Sequence, residues 1–117
     1  MTEKYRDMTV WDIFENVIDE AGKRGILVLL DMHYIEYQAI NELWYSTDTV
    51  YEHHASEIQV GDYKEEDYLE GWDRMLNRFG SKWNVFAIDI MNEPFGHASW
   101  GKEDEKTNVN KFYERGM

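Results

Sequence analysis

The chain has 117 residues, 43% hydrophobic and 15% aromatic, and its 12 Lys and Arg stand against 24 Asp and Glu for a formal net charge of −12. That much apolar material argues for a folded segment over disorder, and the length allows at most one compact domain. The acidity disfavours nucleic acid and anionic membranes as partners, no apolar run nears the ~20 residues of a bilayer span, no export signal is visible at the start, and with no Cys there is neither a disulfide nor a thiolate metal site.

Residues 9–24 read as an amphipathic helix. Val10, Trp11, Phe14, Val17, Ile18 and Ala21 recur at spacings of three and four, which is one helical face. Thr9 suits the N-cap, with Asp12 three residues on to support the first turn. Gly22 and Gly25 end the pattern, and Lys23 and Arg24 sit at the negative end of the helix dipole. On this spacing Trp11 and Phe14 are expected in the core.

Residues 26–31 (Ile26, Leu27, Val28, Leu29, Leu30, Asp31) form a short continuous apolar run closed by an acid. Such a run predicts a strand covered on both faces, as in a parallel sheet. Residues 34–63 are irregular and rich in Tyr, Glu, Asp and His, and allow a short helix around 47–58. A connection this long usually carries function. His54 and Glu57 are three apart there, but two ligands without a third make a weak metal site. A solvated helix face is the plainer reading.

A second amphipathic helix is predicted over 65–79, with Tyr68, Leu69, Trp72, Met75, Leu76 and Phe79 on its apolar face and Gly80 at its end. Asp62, Glu65, Glu66 and Asp67 lack a calcium-loop pattern and suit the first turn of that helix. Residues 85–91 form a second apolar strand, followed by Asn92-Glu93-Pro94. A residue before proline favours extended backbone, so Glu93 is expected to prolong the strand. Residues 107–114 suit the start of a further helix.

The order is therefore helix, strand, long loop, helix, strand, which is a parallel α/β crossover. Ligands in such folds sit beyond the carboxyl ends of the strands. If the two strands pair, Asp31, Met32 and His33 end beside Asn92 and Glu93. Read from composition alone, Glu93 is an exposed carboxylate before a turn proline, Asn92 a turn residue, and His33 a hydrogen-bonded strand-end histidine. Asp31 and Asp89 close or interrupt apolar runs and read as structural hydrogen-bonding groups.

Four segments taken together carry more. Asp31-Met32-His33 after an apolar strand, Asn41-Glu42-Leu43-Trp44-Tyr45, Ile88-Asp89-Ile90-Met91-Asn92-Glu93-Pro94 and Ala98-Ser99-Trp100-Gly101 resemble glycoside hydrolase family 5, the cellulase family. The resemblance runs from about residue 9 to 101. It implies that residues 1–117 are part of a single catalytic domain, a partial (β/α)8 barrel around its third and fourth strands. It implies hydrolysis of β-glucan or cellulose with retention and without a cofactor or metal. Glu93 matches the acid/base, Asn92 the partner of the sugar 2-hydroxyl, and His33 a residue lining the cleavage subsite. Trp44, Tyr45 and Trp100 become candidates for sugar stacking.

Retaining glycosidases need a second carboxyl about 5–5.5 Å from the first. The family places that nucleophile at the end of a seventh strand, beyond this sequence. The expectation is a parent enzyme that cleaves β-linked polysaccharide or oligosaccharide and is secreted. The alternative is that the 117 residues alone are an inactive fragment or a saccharide-binding remnant. Barrel strands cut from their neighbours would also leave edges through which copies could associate.

Overall fold

A computed structural model describes residues 5–34, 39–40, 42–46, 51–52, 62–101 and 104–117. Its elements in chain order are α1 (Val10–Gly22), β1 (Val28–Asp31), β2 (Ala39–Ile40), β3 (Tyr51–Glu52), α2 (Glu65–Phe79), β4 (Val85–Asp89) and α3 (Val109–Gly116). β1 pairs with β4, and β2 pairs antiparallel with β3. Val28 N–H donates to the Asn84 carbonyl, and Met32 N–H donates to that of Asp89. Both strands advance together, so β1 and β4 are parallel, as the crossover order requires. The short helix expected around 47–58 meets strand β3 at Tyr51–Glu52, and its remaining residues, with His54 and Glu57, lie outside the described ones.

Contacts group the chain into two compact units, residues 1–30 with 75–88 and residues 31–74 with 89–117. In the first unit, α1 starts with a capping box. The Thr9 hydroxyl accepts the Asp12 N–H at 3.2 Å, and the Asp12 carboxylate accepts the Thr9 N–H at 3.1 Å. Ile18, Leu30 and Phe79 are buried. Buried Asn84 is the polar tie, donating to the carbonyls of Ile18 (2.9 Å) and Ile26 (3.3 Å). Gly22 admits this side chain closely, since a Cβ there would stand 3.1 Å from it.

Two expectations for this unit need correction. Trp11 and Phe14 do touch Phe79, with ring centroids 5.8 and 5.5 Å away, yet they remain 40% and 41% exposed. The run 26–31 is not covered on both faces either. Leu30 is buried, whereas Ile26, Leu27, Leu29 and, on β4, Phe86 are exposed. Period-two alternation puts neighbouring side chains on opposite faces, and among the described residues one face lacks a covering layer.

Charged residues line α1 at helical spacing. Arg78 meets Asp12 (2.6 Å) and Glu15 (2.8 Å), while Lys82 meets Glu15 (3.0 Å) and Asp19 (2.6 Å). Lys23 and Arg24 both reach Glu20 at 2.8 Å.

The second unit is built on rings. Trp44 lies flat on Phe112, centroids 4.1 Å apart and planes 5° from parallel, with Tyr68 edge-on to Phe112 at 5.7 Å. The Trp44 indole N–H donates to Glu65 at 2.6 Å, and Arg115 pairs with the same carboxylate. That pairing, more than the indole bond, holds the Glu65 carboxyl below its usual range. α2 occupies the predicted residues, and Gly80 N–H closes it on the Leu76 carbonyl at 2.8 Å. α3 begins at Asn108, whose side chain accepts the Asn110 N–H.

The α1 carboxylates give a pH prediction. Hydrogen bonds from Thr9 and then Arg78 lower the Asp12 carboxyl, those from Arg78 and Lys82 lower Glu15, and those from Lys23 and Arg24 hold Glu20 at about 2. A carboxyl depressed in the folded state contributes stability above its unfolded range and loses it as pH falls through the folded value. Urea midpoints of the chain should therefore fall from about pH 4.5 to about pH 2. These groups are exposed, so about 0.5 M NaCl should flatten the slope. A midpoint unchanged across that interval would contradict the assignment.

Candidate active site

The end of β1 meets the end of β4 through Met32. Its N–H donates to the Asp89 carbonyl at 3.3 Å, and its own carbonyl accepts the Asn92 N–H at 3.2 Å. β4 stops at Asp89 because the next carbonyl, that of Ile90, is taken by side chains. The Tyr68 hydroxyl and the Trp72 indole N–H each donate to it at 2.8 Å. Burial accordingly pushes the Tyr68 phenol well above its ordinary range. His33 and the Asn92-Glu93 pair thus leave the sheet at one rim, as the strand ends suggested.

Each candidate has a distinct environment. His33 is exposed, and its Nδ1 lies 2.8 Å from Asp31 Oδ2, which orients the ring. Asp31 thereby fills the structural hydrogen-bonding role expected of it. Asn92 is half-buried and tied by its N–H to Met32. Glu93 is exposed and adopts φ +46°, the left-handed region. This corrects the expectation that it prolongs the strand. The preference of a pre-proline residue for extended backbone is overridden here, at a cost of about 1–3 kcal/mol. Such strain persists only where neighbours over-determine it, and it is characteristic of functional positions.

The aromatic candidates divide. Trp44 has no exposed surface and its ring faces Phe112, so it offers no sugar platform and is a core residue. Trp100 is 69% exposed and touches Tyr113 only edge-on, at 6.4 Å. Tyr45 is half-buried, donates its hydroxyl to the Lys106 carbonyl at 3.1 Å, and lines an open cavity of about 550 Å³ with Tyr63, Lys64 and Arg115. Burial raises its phenol above the usual value.

Sequence reasoning missed one pair. Buried Glu42 accepts the His97 N–H at 2.9 Å and meets the His97 ring at Nδ1. The hint was a charged residue abutting two large apolar ones, Leu43 and Trp44. Nothing in the sequence marks its partner 55 positions on.

The chain matches the family Cellulase (glycosyl hydrolase family 5) over residues 2–117. It belongs to that family. It is 35% identical to the major extracellular endoglucanase of Xanthomonas campestris pv. campestris over 109 residues, covering 93% of this chain and 20% of that protein. It is 30% identical to an endoglucanase of Paenibacillus polymyxa over 96 residues, covering 82% of this chain and 21% of that protein. The solved catalytic domain of the Xanthomonas enzyme superposes with a TM-score of 0.80 at 34% identity, over 97% of this chain and 29% of that domain. A cellotetraose complex of the Pyrococcus horikoshii endocellulase does so with a TM-score of 0.80 at 32% identity, with the same coverages. This segment of the cellulase family thus spans about a fifth of the length of these curated relatives. Its parallel strands and helices are part of a (β/α)8 barrel.

Burial separates the two tryptophans experimentally. Trp44→Ala should destabilise the protein by about 3–5 kcal/mol, as loss of a buried ring does. Trp100→Ala should change stability by less than about 0.5 kcal/mol. Denaturant melts of both variants test this, and a stable Trp44→Ala protein would contradict the core assignment.

Proposed function

We propose that the protein carrying this segment is a retaining endo-acting β-glucanase and that residues 1–117 form part of its single catalytic domain. The observation that carries the reading is the Met32 seam, which sets His33 and Asn92-Glu93 at one strand-end rim in a chain of the cellulase family. The relatives' names as endoglucanases support the activity. The cellotetraose bound to the Pyrococcus horikoshii enzyme supports a β-linked glucan as substrate.

Glu93 donates its proton to the glycosidic oxygen as the bond to the anomeric carbon breaks. A second carboxylate, supplied by the chain beyond these 117 residues, attacks that carbon and forms a glycosyl-enzyme. Glu93, now ionised, takes a proton from water as the water releases the sugar. Asn92 hydrogen-bonds the 2-hydroxyl, where contacts strengthen in the transition state. His33, oriented by Asp31, lines the cleavage subsite. Trp100 and Tyr45 supply the aromatic surfaces on which apolar sugar faces stack. The reaction needs no cofactor. The exposed apolar side chains of the first unit pack against further barrel elements, or against another copy when the segment stands alone. An exported parent agrees with the extracellular Xanthomonas relative.

A second reading applies to the 117 residues by themselves: an inactive segment that at most binds saccharide, because it carries the acid/base without the nucleophile. Hydrolysis of a soluble β-glucan tests both. The full-length protein should release reducing sugar, and Glu93→Gln should lower kcat by about 100-fold or more. The 117-residue polypeptide should give no turnover. Full activity of the Glu93→Gln enzyme would overturn the assignment of Glu93.

A further inference from the structure

We propose that Glu42 is a positioning residue for the reaction, a carboxyl that anchors the turn after Pro94 and so holds Glu93 in its left-handed conformation. The proposal rests on the hydrolase reading of Glu93.

Glu93 lies between two anchors. Upstream, the Asn92 N–H is fixed on the Met32 carbonyl. Downstream, the main chain is fixed on one residue from two sides. The Phe95 N–H donates to the Glu42 carbonyl at 3.2 Å, and the His97 N–H donates to the Glu42 carboxyl at 2.9 Å. The same carboxyl oxygen meets His97 Nδ1. Ala98 N–H closes the turn on the Phe95 carbonyl at 2.9 Å. Glu42 is 1% exposed, and a carboxyl buried this far is held by hydrogen bonds that offset its loss of water.

Gly96 shows how tightly the turn is seated. Its φ is +57°, and a Cβ there would overlap the Glu42 carboxyl. The turn therefore closes directly over that group. A non-glycine residue stays at φ +46° only when both flanks are held. Without the downstream anchor, Glu93 relaxes toward the extended backbone that Pro94 favours, and its carboxyl moves away from the glycosidic oxygen. Displacements of this kind cost catalysis more than binding.

The experiment uses the full-length enzyme, with Glu42→Ala, Glu42→Asp and Glu42→Gln, assayed well below each melting temperature. Two substrates are compared, a soluble β-glucan and 2,4-dinitrophenyl β-cellobioside, whose leaving group departs without protonation. Glu42→Ala should lower kcat on the glucan by about 10- to 100-fold with KM within about 3-fold. Its kcat/KM on the dinitrophenyl substrate should stay within about 3-fold, because that step does not need the displaced proton. Glu42→Gln keeps an oxygen for the His97 N–H and should recover most of the activity. Glu42→Asp withdraws the carboxyl from the turn by one C–C bond and should show the same split between substrates. If Glu42→Ala fails to fold, the contrast between Gln and Asp decides.

Equal losses on the two substrates, or a lowered melting temperature with unchanged kcat, would leave Glu42 a purely structural residue and overturn the proposal. An unsubstituted enzyme that hydrolyses neither substrate would overturn the hydrolase reading, and this proposal with it. An active enzyme indifferent to Glu42 overturns the proposal alone.

Discussion

The site depends on two main-chain hydrogen bonds made by one residue. Met32 donates to Asp89 and accepts from Asn92, which sets the register between the ends of β1 and β4. A slip of one residue would reverse which side chains face the rim. The carbonyl of Ile90, just past the end of β4, is capped by Tyr68 and Trp72 instead of by another strand. Those two donors stand four residues apart on α2, on its inward face. The helix that follows β1 in the chain thus decides where β4 ends and where the Asn92-Glu93 segment turns out of the sheet. Helical packing, strand termination and placement of the candidate carboxylate are one connected arrangement.

From that point the chain is held against its own preference. Glu93 precedes a proline yet lies at φ +46°. The free energy that maintains it comes from groups without chemistry of their own, the Met32 carbonyl before it and the Glu42 anchor after it. The buried aromatic stack of Trp44 on Phe112 stands two residues after that anchor and keeps its segment in the core. Within the described residues of the Asn41–Tyr45 motif, Glu42 is therefore mainly a support for the turn below Glu93. Of the motif's aromatics, Tyr45 alone borders open space.

Much of this was legible in the sequence because short-range physics decides it. Helical periodicity and the terminal Gly80 located α2, and Thr9 with Asp12 located the start of α1. The two apolar runs located the strands, and the acid, histidine and amide at their ends located the rim. The errors share a cause. Apolar spacing says which side chains prefer burial but not whether a covering layer is present, so Trp11 and Phe14 were expected inside and stand partly exposed. Position in a loop says little about burial, so Trp44 looked available and is not. Local backbone preference predicted an extended Glu93, whereas contacts distant in sequence impose the left-handed form. The Glu42–His97 pair joins residues 55 apart, and only the tertiary structure brings them together.

Azide rescue asks whether Glu93, at its strained backbone position on this rim, is the acid/base of a retaining glycosidase. In the full-length enzyme, Glu93→Ala still allows the glycosyl-enzyme to form from 2,4-dinitrophenyl β-cellobioside, because the leaving group needs no proton. Water then reacts slowly, while azide, which needs no general base, takes its place. The account predicts that azide accelerates turnover and yields β-cellobiosyl azide with retained configuration. Turnover unaffected by azide, or an azide product of inverted configuration, would contradict it.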